Sequence, residues 1–153
     1  MSETTEIFRI IHLLKDVYDG APWHGPSIKS VLNNLEENES ARAFGESHTI
    51  IQILGHMVAW REFVIKKLDG DEIFDIDDST NFPDLSPADW KSLYNLFEQT
   101  QSILIRLLEP LHDEFLTLKV PGRNYDWGKM IYGLIHHDLY HLGQISLLKK
   151  YGK

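Results

Sequence analysis

Punctuation constrains the fold of this chain more than any other feature. Its six prolines, at positions 22, 26, 83, 87, 110 and 121, and several of its glycines fall in three clusters, and the long windows between them carry helical periodicity. Those windows read as four helices. The first spans residues 3 to 19, with Ile7, Phe8, Ile11, Leu14 and Val17 on one face and Gly20 at its end. The second takes Ser47 as N-cap, runs through Ile50, Ile53, Leu54, Met57, Trp60 and Val64, and stops at Asp69-Gly70. The third opens with Ser86-Pro87, an N-cap followed by proline at the first helical position. It continues to about Leu108 on an apolar set of Trp90, Leu93, Leu96, Phe97, Ile103, Leu104 and Leu107. The fourth runs from about residue 125 to 150 through Met130, Leu134, Ile145 and Leu148. No segment alternates apolar and polar residues long enough to make a strand. The expected fold class is therefore all-α: a four-helix bundle forming one domain over residues 1–153.

The connections are unequal. About 27 residues separate helices one and two, APWHGPSIKSVLNNLEENESARAFGE, with room for a short helix near Ile28 to Leu35. A link of that length can cross over the bundle end, so these two helices need not be antiparallel neighbours. The second link, GDEIFDIDDSTNFPDL, is strongly acidic and reads as an exposed loop.

Composition narrows the function. The chain has no cysteine, which excludes a disulfide framework, a thiolate metal site and a cysteine nucleophile. Lys plus Arg is 15 against 23 Asp plus Glu, a net charge of −8 that repels phosphate backbones and anionic lipid surfaces, so neither nucleic acid nor membrane is expected as a partner. The N-terminus MSETTEIF carries no basic, then apolar, leader pattern, and no apolar run approaches the roughly 20 residues of a spanning helix. A soluble, cytoplasmic protein is the expectation.

The chemistry concentrates in HHDLYHLGQI, residues 136 to 145. Projected onto helix four, Met130, Leu134, His137, His141, Gln144 and Leu148 form one stripe, so two histidines and a glutamine stand on the face that should be buried. His137 and His141 are i and i+4, and their rings can converge on one point. His136 lies about 100° round the helix and cannot join them. Two readings remain open: core histidines hydrogen-bonded to carbonyls or to Asp and Tyr side chains, or a pair holding one transition-metal ion. A third ligand decides between them. HDLYH has the outline of the helical zinc-protease motif but fails as one. Asp138 is a methylene short of the general base, only 12 residues follow His141, and the extended form needs glycine at 144 and histidine at 147 where the chain has Gln144 and Leu147. The best upstream candidate is His56, which sits between Ile53 and Trp60 on the inward face of helix two. Two facing helices would then supply three nitrogens and leave open positions for water and substrate.

On these residues the sequence resembles the DinB/YfiT-like superfamily of proposed metal-dependent enzymes. That pattern pairs a histidine in helix two, here His56 in ILGHMVAW, with a C-terminal HxxxHxGQ, here His137, His141, Gly143 and Gln144. APWHGPSIKSVL and VPGRNYDWGKMIYGLIHHD also look like one branch of it, so the resemblance covers nearly the whole chain. It implies a divalent metal, nickel or zinc, on His56, His137 and His141 in a four-helix bundle that is commonly a homodimer. Some members are transferases or isomerases that use a low-molecular-weight thiol, and no single reaction is implied.

Other residues support less specific readings. Gln144 could orient a ligand at the site or hydrogen-bond across the bundle. Trp60 suits a pocket wall. His24, in the WHGP loop, could hang over the site or serve as a cap or surface residue, and His48 suits a helix terminus. His12 and His112 carry no signal. Asp138 is expected to face outward and Tyr140 to pack at a helix interface. Gly55 and Gly143 suggest close helix approach. No Glu or Asp general base is evident on the inner stripes, and no catalytic side chain is assigned. Three functions follow: a metalloenzyme activating water or a small thiol for hydrolysis or thiol transfer, a metal-dependent binder of a small ligand, or a bundle that the ion merely staples together.

Overall fold

A computed structural model describes residues 5–153. The regular structure of the described residues is helical, with no strand and one isolated antiparallel bridge, Lys119 to Asp126. Four long helices form the bundle: α1 (Glu6–Asp19), α3 (Ile50–Leu68), α5 (Trp90–Leu108) and α6 (Trp127–Tyr151). Two short ones lie in the links, α2 (Ile28–Leu32) and α4 (Asp78–Asn81).

Caps decide where these helices start. Thr5 caps α1, and Asp113 receives the next two free amides, those of Glu6 and Ile7, at 2.8 and 2.9 Å. Residues 3 and 4, expected in helix one, lie outside the described residues. Ser47 does not cap α3: its hydroxyl accepts the Phe44 amide in a preceding turn. The cap is Thr49, whose hydroxyl accepts the Gln52 amide while its own amide donates back to Gln52 Oε1. Ser86-Pro87 opens a 3₁₀ turn, Pro87–Asp89, that runs into α5. Asp126 caps α6 through the Lys129 amide at 2.8 Å, so that helix starts at Trp127.

One apolar core fills the bundle. α1 buries Ile7, Ile10, Leu14 and Val17, while Phe8, expected inside, is 61% exposed because it lies a hundred degrees round from Ile7. α5 turns Leu96 outward and buries Thr100 and Gln101 instead. α3 packs on both α5 and α6, and α1 packs on the same pair, an arrangement that fits a first link spanning the bundle end. That link is tied down along its length. Trp90 donates its indole N–H to Leu35 O at 3.1 Å, and Lys149 on α6 donates to Val31 O at 2.7 Å.

The acidic second link is not simply an exposed loop. Asp77 caps α4 by accepting the Ser79 and Thr80 amides, both at 2.9 Å, and the segment folds back onto α3. Gly55 makes the approach possible: a Cβ there would meet Leu85 Cδ1 at 2.6 Å and Pro83 Cγ at 3.0 Å. The close neighbour at Gly55 is thus a loop rather than a helix. At Gly143 a Cβ would meet nothing within 4 Å, so the expected close approach does not occur there.

Candidate metal centre

His56 on α3 and His137 and His141 on α6 converge inside the bundle. His56 and His141 are buried and His137 is half-buried. The Nε2 atom of His137 lies 3.0 Å from Nε2 of His56 and 3.1 Å from Nε2 of His141. His136 is exposed, stacked beside Tyr132, as its position round the helix predicts.

The opposite ring nitrogens set the tautomers. His56 donates from Nδ1 to the Asn81 carbonyl at 2.8 Å, and His141 donates from Nδ1 to Gln144 Oε1 at 2.6 Å. Both rings therefore aim a lone pair from Nε2 at the shared centre. Gln144 does not reach across the bundle; it holds a histidine on its own helix. His137 stands between the two with its Nδ1 buried and unpartnered. Without a cation, an Nε2–H on His137 could satisfy only one of the two lone pairs facing it.

That arrangement suits a divalent ion. Bonds of about 2.0–2.1 Å in tetrahedral geometry place nitrogens about 3.3–3.4 Å apart, within a few tenths of an ångström of the two separations from His137, and all three donor atoms lie within 4.8 Å of one another. Protonation is held off as well. Burial, reinforced by His141 and His56, pushes His137 down to about 3, and burial also lowers His56 and His141 against the opposing pull of their hydrogen bonds. Neutral imidazoles are the ligating form.

Beside the histidines lies a buried polar network that the sequence reading missed. Asp138 does not face outward. It is 1% exposed, and its Oδ2 accepts from Arg61 Nε at 3.0 Å and Nη2 at 2.7 Å. Arg61 Nη1 donates to Gln101 Oε1 at 3.0 Å and Thr100 Oγ1 at 3.3 Å, and its guanidinium sits 4.2 Å above the Phe97 ring. Complete burial pushes the Asp138 carboxyl up while the Arg61 guanidinium pulls it back. A carboxylate thus does stand inside the bundle, but it is engaged by Arg61.

Two cavities flank the histidines. One, of about 270 Å³, has His137 and Trp60 in its wall, and the other, of about 450 Å³, has His141, Gln144 and Phe82. Trp60 is fixed by its indole N–H to Asn81 Oδ1 at 3.0 Å. His48 is not only a residue near a helix terminus. It stacks on Phe82 at 3.8 Å, and Phe82 stacks on His56 at 4.2 Å. Tyr140 is 66% exposed rather than packed at a helix interface, with its ring centroid 5.0 Å from that of His141 and set edge-on to it. His24 is exposed in the first link and lines neither cavity.

A helical bundle that presents three inward imidazoles to one point offers a nitrogen-donor set that could hold a metal ion. The chain belongs to the DinB superfamily, whose sequence profile matches residues 26–145 and so takes in all three histidines. No match to the chain was found among curated proteins or among solved structures.

Proposed function

We propose that this is a metal-dependent enzyme in which His56, His137 and His141 hold one divalent ion, nickel or zinc, that activates water or a low-molecular-weight thiol for hydrolysis or thiol transfer. The observation that carries the reading is the convergence of three Nε2 atoms whose partners at Nδ1 leave lone pairs facing inward. When bound, the ion would supply Lewis acidity toward the nucleophile. The chain's own groups do the rest. Asn81 and Gln144 fix ring orientation, and Trp60 and Phe82 shield the rings from bulk water. A purely structural staple is less favoured, because Arg61 and Asp138 already join α3 to α6 beside the histidines, and because cavities adjoin the site on two sides.

Metal analysis of protein purified without an affinity tag, followed by a thiol-dependent substrate screen, tests the proposal. About one equivalent per chain with turnover is expected. A closed site with four protein ligands, or no ion, overturns it. The proposal also includes a homodimer in the cytoplasm acting on a small molecule. Tyr140, Leu147 and Tyr151 form an exposed stripe on α6 that suits self-association, and sedimentation across micromolar concentrations tests it. No helix among the described residues is long and apolar enough to cross a membrane.

A further inference from the structure

The 270 Å³ cavity has a shape and chemistry that specify an occupant. Its walls are Trp60, Phe63 and Val64 from α3 and Met130 and Leu134 from α6, and its one charged lining residue is Lys129. An apolar cavity of about 150 Å³ holds benzene, so this one suits a body of roughly two fused rings. Lys129, Met130, Gly133, Leu134 and His137 follow one another along the same face of α6, and at 1.5 Å per residue the cavity runs about 12 Å from Lys129 to the histidines. Its walls are held in place, with Trp60 bonded to Asn81 and set edge-on to Phe63 at 5.4 Å. Lys129 takes part in no ion pair among the described residues, so its charge is available to a ligand.

We infer that this cavity is the substrate subsite, and that the substrate is a small organic monoanion with an apolar body of about two-ring size, its anionic group at Lys129 and its reacting group at the histidines. The word substrate rests on the metalloenzyme reading above; the binding site itself does not. Gly133 allows a clean test. A Cβ there would meet nothing within 4 Å, and a helical side chain leans toward the N-terminus, so leucine at 133, a cavity-lining position, would take up part of the cavity while pointing away from His137. Leucine also favours the helix over glycine, so the variant should fold at least as well as the parent.

The experiment titrates a naphthalene carboxylate, and its neutral carboxamide, into metal-loaded and metal-free protein by calorimetry, with metal content measured in parallel. The parent should bind the carboxylate saturably. Gly133→Leu should weaken binding about tenfold or more with metal content unchanged. Lys129→Gln should weaken the carboxylate several-fold and leave the carboxamide unaffected. Absence of saturable binding to the parent, or equal binding by Gly133→Leu, overturns the subsite. Binding that persists, and is lost in Gly133→Leu, in protein that takes up no metal would uphold the cavity assignment and overturn the metalloenzyme reading. One bound metal with turnover, but no naphthalene carboxylate bound, would do the reverse.

Discussion

Asp138→Ala should be among the most destabilising single substitutions in the bundle. The change removes the acceptor for two Arg61 N–H groups, at 3.0 and 2.7 Å, and leaves a 1% exposed guanidinium with only Gln101, Thr100 and the Phe97 ring as partners. Removing one partner of a buried pair costs about 3–5 kcal/mol. At about 2–4 °C per kcal/mol for a domain of this size, the melting temperature falls by roughly 10 °C. Asp138→Asn keeps one acceptor and loses the charge, so its cost is smaller, about 1.5–3 kcal/mol. The double variant Arg61→Met, Asp138→Leu removes both charges and recovers stability to within about 1–2 kcal/mol of the parent. Urea unfolding of metal-free protein, followed by circular dichroism, measures all three without a contribution from metal binding. A cost below about 1 kcal/mol for Asp138→Ala would refute the claim that this pair fixes α3 against α6, and with it the argument against a metal staple.

Three further outcomes follow from the site. Replacing His56, His137 or His141 by alanine abolishes metal retention after dialysis, whereas His136→Ala retains the ion; the opposite result for His136 and His137 would mean that α6 has a different register. Gln144→Ala keeps all three histidines but frees the His141 ring, and lowers metal affinity about 10–100-fold in a competition with a chelator. Metal-free protein loses stability as pH falls. Imidazoles whose folded pKa is depressed bind fewer protons than the unfolded chain, so their contribution is undiminished above about 6.5 and declines below it. The urea midpoint should therefore drop between about pH 6.5 and 4.5, before most carboxylates titrate, and an unchanged midpoint would contradict the burial of these rings.

The four helices and the three histidines were legible because each rests on local spacing. His137 and His141 are one turn apart, and His56 interrupts an apolar stripe. Asp138 was misplaced because α6 buries more than one face. Ile131, Ile135, Asp138, Leu142 and Ile145 form a second stripe beside the one through Leu134 and His141. The signal was present, since Asp138 shares that stripe and Arg61 falls on the spacing of Leu54, Met57 and Val64. Two opposite charges on buried stripes of different helices are candidates for each other. Nothing local announced the role of Asn81 or the His48–Phe82–His56 stack. Both depend on how an acidic link folds over Gly55, a tertiary event that composition reads only as polar chain.

That folded link has a kinetic consequence. The orientation of the His56 ring rests on a peptide oxygen in a four-residue helix, α4, which bonds α3 through Asn81 to His56 and Trp60, with Pro83 and Leu85 just beyond it packed on Gly55. Segments with so little buried surface open far more often than the bundle unfolds. Each opening of residues 77–83 would release the Asn81 carbonyl from His56 Nδ1, so on the metal-binding proposal the rate of ion exchange would be coupled to a surface fluctuation. Amide exchange in α4 should accordingly slow when the ion is bound, while exchange in the middle of α5 stays the same. On the metal-binding proposal, the lifetime of a bound ion would therefore depend on the acidic strap outside the bundle as well as on the three rings inside it.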